Sequence, residues 1–212
     1  MSLISRSGLD TKSWLAGLRR SAPALIRGLS GFLLAWLVLR VWTFETDQAV
    51  MLAIYEAGSS VALVAWLAAE TGNLLWMLVV VWLYVFRRDR YEWTSAILVA
   101  VGTILSMVSV DLLKAAFMLP RPPEVLGVEY RFGIPTDPGF PSGHTSKAFT
   151  LAAVVWGRYA KWRIPFLALA AATGISIIVI GRHFPSDVLG GAFVGIAIGT
   201  FVVNIARVRS DG

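Results

Sequence analysis

The 212-residue sequence predicts an all-α, polytopic membrane protein, with six transmembrane helices in one bundle and an interfacial helix between the first and the second. Three observations carry that prediction. Hydrophobic residues make up 57% of the chain, its mean hydropathy is +0.69 and it holds nine tryptophans, a composition unlike that of a soluble domain. Apolar runs recur at the roughly 17–25 residues that a helix needs to cross a bilayer. The basic residues cluster in alternate connections between those runs, as cytoplasmic loops do. A single membrane domain over residues 1–212 is expected, with 1–23 a cytoplasmic N-terminal segment.

The runs lie at about 24–44, 66–86, 93–118, 142–160, 163–181 and 185–206. Glu70, Thr71 and Gly72 interrupt the second. Ahead of it, DQAVMLAIYEAGSSVALVAW is apolar enough to lie flat in the headgroup region, so 47–65 is read as an interfacial or re-entrant helix; a seventh crossing would put the later loops on the wrong sides. Residues 119–141, dense in Pro and Gly, form the one long connection, and loops of that length more often serve function than idle. Internal repeats, low-complexity tracts and flexible linkers are absent from the sequence.

The net charge of +6 has a topological origin. Of nineteen Lys and Arg, thirteen fall on the side of the N-terminus: Arg6, Lys12, Arg19, Arg20, Arg27, then Arg87, Arg88, Arg90, then Arg158, Lys161, Arg163, then Arg207 and Arg209. Both termini are therefore expected in the cytoplasm. The other six, Arg40, Lys114, Arg121, Arg131, Lys147 and Arg182, lie on the outer half, and all but Arg40 belong to segments that carry chemistry. Nucleic acid is not an expected partner. With no cysteine there is no disulfide framework to reveal a redox compartment, and residues 1–21 lack the tripartite pattern of a signal peptide.

Three segments at the outer ends of the runs concentrate the polar groups: KAAFMLPRP at 114–122, PSGHTSK at 141–147 and GRHFPSD at 181–187. Lys114 lies inside a span, where a cation is costly and points to function unless it pairs with Asp111 one turn earlier or snorkels. Arg121 follows between two helix-ending prolines, and two cations near one site suit a phosphate, Arg as a fork and Lys as a point charge. Pro-Ser-Gly opens a helix whose bare N–H groups can face an anion; Gly143 admits close approach, and Ser142 either adds a donor or simply caps. His144, in the first turn, is placed to give a proton to a leaving oxygen. His183 and Asp187 are spaced i, i+4, either as an oriented nucleophile or base or as a structural pair. Two histidines and one nearby carboxylate make a thin zinc site, so neither a metal nor another cofactor is expected.

Jointly, these segments resemble the type 2 phosphatidic acid phosphatase superfamily, metal-independent membrane lipid phosphatases. The family pattern is a lysine and, after six residues, Arg-Pro; then Pro-Ser-Gly-His; then Ser-Arg, five residues, His, three residues, Asp. Here stand Lys114 with Arg121-Pro122, Pro141-Ser142-Gly143-His144, and His183 with Asp187, and the resemblance covers roughly 72–206, within a phosphatase core at 66–206. It implies that His183 attacks phosphorus to form a phosphohistidine, Asp187 orients it, and His144 protonates the leaving group and then activates water. Lys114, Arg121, Ser142 and the Gly143 amide would hold phosphate oxygens.

One position departs from the pattern: Ser176 is followed by Ile177, where the family has an arginine. Arg182 is the first candidate to replace it, although along a continuous helix residue 182 sits about 140° around and about 7.5 Å beyond residue 177. Arg131 and Lys147 are others. The expected reaction is hydrolysis of a lipid phosphate monoester or diphosphate at the outer face of a bacterial inner membrane, on substrate entering from the bilayer. A phosphotransferase of the same fold, passing phosphate to a lipid or sugar acceptor, and a non-catalytic lipid-binding or transport protein, motivated by Ile177, are the alternatives. The sequence leaves oligomeric state open.

Overall fold

A computed structural model describes residues 11–86 and 90–207, and among these every regular element is a helix. The order is α1 (Thr11–Ala57), a 3-10 turn (Ser59–Val61), α2 (Ala62–Phe86), α3 (Arg90–Phe117), the short α4 (Pro122–Leu126), α5 (Gly143–Arg158), a 3-10 turn (Ala160–Trp162), α6 (Arg163–Val179) and α7 (Pro185–Arg207). Each apolar run of the sequence falls within one of these helices or overlaps its ends by a few residues. By length and composition, the segments Tyr91–Leu126, Ala160–Val179 and Pro185–Ala206 can each cross a membrane among the described residues. A fourth crossing is available if the bent pair Thr43–Ala57 and Ser59–Gly72 counts as one.

The segment 47–65 differs from its expected form. It is not a separate helix: residues 47–57 continue α1, and the chain then bends by 60° at Gly58 into α2. Gly58 is buried against Val179, with no room for a Cβ, so the bend is fixed by contact with the end of α6. The N-terminal segment 1–23 also joins α1 from Thr11 onward, while residues 1–10 lie outside the described ones.

α5 and α7 form the centre of the bundle. Gly191, Gly195 and Gly199 recur every fourth residue on α7 and press on the backbone of α5 at Ser142, Ser146 and Thr150, where a Cβ would collide. Small residues at one stripe let two helices approach to backbone contact, the way membrane helices associate without a hydrophobic driving force between them. Toward the other end of the bundle, Leu151, Val154 and Val155 of α5 pack with Val202 and Val203 of α7 and Leu98 and Val99 of α3. Between α3 and α5 the Ser106 and Ser146 hydroxyls bond at 2.6 Å, satisfying two buried polar groups at once. Large apolar side chains such as Leu63, Leu67, Leu78 and Val81 of α2 and Ile104, Val108 and Leu112 of α3 are exposed, as lipid-facing surfaces are.

The connectivity gathers the chemistry at one end. α3 and α6 finish there, and α5 and α7 begin there. The opposite end carries Arg158, Lys161 and Arg163; Arg158 donates to Ser95 Oγ at 2.9 Å and to the Tyr91 carbonyl at 2.7 Å, with its guanidinium over the Tyr91 ring.

Candidate active site

The three polar segments converge on a cavity of about 210 Å³ whose wall includes Lys114, Arg121, Gly143, His144, Arg182 and His183. Each residue arrives there for a local reason.

Lys114 is 6% exposed near the end of α3. It does not pair with Asp111, which lines the cavity separately; its ammonium donates to the Asp137 carboxylate and, at 2.9 Å, to the Pro138 carbonyl. Beyond α3 the chain turns through Met118, with φ of 48°, and Pro122 opens α4 with Arg121 as its extended N-cap residue. That sends the arginine inward, 3% exposed. Its Nε donates to the Asp137 carbonyl at 2.8 Å, one terminal nitrogen to Asp137 Oδ1 at 2.9 Å and the other to the Arg182 carbonyl at 2.7 Å. The last of these also stands 3.1 Å from His183 Nε2.

Asp137 therefore bridges both cations. Burial opposes its charge, but the hydrogen bond from Lys114 and the Arg121 and Lys114 charges outweigh it and hold the carboxyl below the usual range.

At the start of α5, Ser142 is fully buried and its hydroxyl caps the helix, accepting from the Thr145 N–H at 3.5 Å and the Thr145 hydroxyl at 3.0 Å. Its own N–H donates to the Asp187 carbonyl at 3.0 Å. The cavity wall at this helix end is made by Gly143 and His144, with Lys147 one turn on.

α6 ends at Val179 in a Schellman motif. Gly181 takes the left-handed conformation, φ 79°, its N–H donates to the Ile178 carbonyl at 2.9 Å, and the Arg182 N–H donates to the Ile177 carbonyl at 3.1 Å. Arg182 is thus not displaced along a helix from Ile177 but folded back beside it. Its guanidinium donates to the Phe132 carbonyl and, at 3.3 Å, to Glu70, and lines the cavity. The Ile177 side chain is fully buried with Ala65, Ala69 and Ile180 and is not part of the cavity wall. Of the other replacement candidates, Lys147 reaches the cavity, whereas Arg131 turns away, stacking on Tyr55 and donating to its carbonyl at 2.6 Å.

His183 follows in the turn, 2% exposed. Nδ1 lies 3.5 Å from Asp187 Oδ2, which also accepts the Phe184 N–H at 3.0 Å; Nε2 faces Arg121 and the cavity. A guanidinium can only donate, so Nε2 presents a lone pair and the ring proton sits on Nδ1, toward Asp187. Burial, then the Arg121 and Lys114 charges, push the imidazole well below its ordinary value and keep it neutral. The chain enters α7 over Asp47 of α1, whose carboxylate accepts from the Ser186 N–H at 2.9 Å and the Ser186 hydroxyl at 2.6 Å. Trp36, also of α1, stacks on Phe140 and donates to the Ser186 carbonyl at 3.2 Å.

Asp137, Glu70 and Asp47 were not singled out as site residues by sequence reasoning. Asp137 had a signal in being an acid within the one long loop, and Glu70 in breaking an apolar run; Asp47 had none. Among the described residues, no three His, Asp or Glu side chains form a metal-holding group.

Fold and site together define an all-helical integral membrane protein with two histidines in a cationic cavity. The sequence profile of the PAP2 superfamily matches residues 95–211, and the chain belongs to that family. It is 30% identical over 123 residues to an undecaprenyl-diphosphatase, BcrC, from Bacillus subtilis, an alignment covering 58% of this chain and 62% of that one; the match thus spans about three fifths of the relative's length. Among solved structures it is similar to a transmembrane PAP2 type phosphatidylglycerolphosphate phosphatase from Bacillus subtilis, with a TM-score of 0.67, 18% identity and coverage of 84% of this chain and 96% of that one. It is also similar to LpxE from Aquifex aeolicus, with a TM-score of 0.62, 28% identity and coverage of 73% and 92%.

Proposed function

We propose that the protein is a membrane phosphatase that hydrolyses a lipid phosphate monoester or diphosphate through a phosphohistidine, without a metal. The observation that carries this reading is His183: a buried neutral imidazole with its Nδ1 side toward Asp187 and its Nε2 lone pair turned to Arg121 at the wall of a cavity lined by cations.

In the first half-reaction the Nε2 electron pair forms a bond to phosphorus while the bond to the lipid oxygen breaks, and His144 delivers a proton to that oxygen. In the second, His144 takes a proton from water, the oxygen attacks phosphorus, the P–N bond breaks and inorganic phosphate leaves. Lys114, Arg121, Arg182 and the Gly143 N–H stabilise the charge on the transferring group, the term that dominates such reactions. An incoming phosphoryl group takes Lys114 and Arg121 over from Asp137. Arg182 stands in for the arginine missing at 177, and Ser142 contributes as the cap that sets the start of α5. The relatives named as undecaprenyl-diphosphatase and lipid A 1-phosphatase support polyprenyl diphosphates and lipid A phosphates as substrates to test first. The site faces the outside of the inner membrane, with both termini cytoplasmic, the segment through residue 23 inside and 66–206 the catalytic core.

The experiment is a phosphate-release assay on purified protein in detergent with chelator, across undecaprenyl diphosphate, lipid A 1-phosphate, phosphatidylglycerol phosphate and phosphatidic acid. Release from at least one, abolished by His183→Ala, is expected. Activity that requires a divalent ion and survives His183→Ala would falsify the mechanism.

A further inference from the structure

Resting on that phosphatase reading, we infer that Glu70 is a positioning residue of the site: from α2 it stands beside His144, where it assists that histidine as the general acid, and it anchors Arg182 at the cavity. α2 supplies none of the cavity wall, so Glu70 acts through other side chains and not on substrate. Its Oε1 lies 3.3 Å from a terminal nitrogen of Arg182 and 3.9 Å from His144 Nε2.

An acid within an apolar helix is costly and points to function by default. Here the carboxylate is aimed by its surroundings. One turn before it and beside it, Ala65 and Ala69 pack on Ile177 and Ile180; just after it, Gly72 presses on Thr173, where a Cβ would collide. α2 is therefore clamped to α6 on both sides of Glu70, and the reach of the side chain is set.

The charges around His144 explain what the carboxylate supplies. Lys147 lies one turn on along α5, Arg182 and His183 come from the α6–α7 turn, and α3 brings Lys114 and Asp111 to the same cavity. Burial and nearby cations both disfavour a second proton on an imidazole, whereas a general acid must carry that proton when the leaving oxygen departs. Glu70 is the carboxylate set against His144 itself, and it favours the imidazolium. Each histidine thus has a carboxylate set against its ring: Asp187 behind the nucleophile and Glu70 beside the acid.

The test compares two substrates that differ in how much their leaving group needs a proton, decyl phosphate and p-nitrophenyl phosphate, in wild type, Glu70→Gln and Glu70→Asp, each checked for monodisperse elution. For Glu70→Gln, kcat on decyl phosphate is expected to fall about 10–100-fold, less than the roughly 10²–10⁴-fold that general acid catalysis contributes in full because His144 itself remains, with p-nitrophenyl phosphate affected about 3-fold or less. Glu70→Asp restores most of the loss. Equal losses on both substrates, no loss at all, a loss confined to KM, or aggregation of both variants would each make Glu70 a packing or binding residue and overturn the inference. A wild type that releases phosphate from no substrate, or a His183→Ala protein as active as wild type, overturns the phosphatase reading and this inference with it. An active wild type with an indifferent Glu70→Gln overturns the inference alone.

Discussion

The backbone N–H of Arg182 donates to the carbonyl of Ile177 at 3.1 Å, so an arginine five residues further along the chain lies beside the position where the family pattern has its own. Gly181 makes this possible, because only its left-handed φ of 79° lets α6 end and fold back within one turn. Arg182→Ala is accordingly expected to lower kcat/KM for a lipid phosphate by about 10²–10³, the cost of removing one transition-state donor. Ile177→Arg is expected to bring no gain, since it puts a charge into the apolar cluster of Ala65, Ala69 and Ile180; a lower melting temperature with unchanged or reduced turnover is the outcome to measure. Higher turnover in Ile177→Arg would mean that Arg182 does not fill the role.

On the phosphatase reading, Asp137, which pairs with Lys114 and Arg121, is a competitor of the incoming phosphate for both cations. Asp137→Asn removes that competitor while keeping the shape of the side chain. Inorganic phosphate and vanadate should then inhibit at concentrations about 3–10-fold lower, in keeping with loss of a partly exposed charge contact. Unchanged or weaker inhibition would show that the carboxylate organises the cations without standing in the anion's place.

Because burial and two cations hold His183 neutral, the acid limb of kcat/KM is expected below the ordinary histidine value of about 6.5. Arg121→Gln removes one of the cations, so the limb should move up in pH as turnover falls. The same shift bears on stability: the unfolded chain binds a proton at His183 below about pH 6.5 and the folded one resists it, so this contribution is present above that pH and lost as pH falls. Thermal unfolding followed from pH 8 to pH 5 reads it, and His183→Gln should flatten the slope.

Gly195 presses on the Ser146 carbonyl and the side of Phe149. Gly195→Val forces α5 and α7 apart at the centre of the bundle and should destabilise it by about 1–3 kcal/mol or more, the range for overpacking a tight core. A detergent melting curve measures this; Gly28→Val, at a position with open space, is the control and should change little.

The helices were legible because length and hydropathy are properties of the chain alone: a span needs its apolar run whatever it packs against. That the candidates His144, His183, Asp187, Lys114 and Arg121 would meet at one end of the bundle was legible as well, since turns and helix ends rich in Pro and Gly bring out polar residues that a bilayer would otherwise exclude. The fate of each polar group was not. Ser142 reads equally as a cap or an anion donor, and only the fold shows its buried hydroxyl accepting from Thr145 at the start of α5. Lys114 reads as a partner of Asp111, yet its nearest acid is Asp137, twenty-three residues away along the long loop. The bend at Gly58 depends on Val179, far along the chain. The sequence by itself determined which residues carry charge, which turns can form and which stretches are apolar helices. Only the tertiary structure decided which acid meets which base, because an ion pair depends on distances of a few ångströms between segments whose separation in the chain does not limit their approach in space.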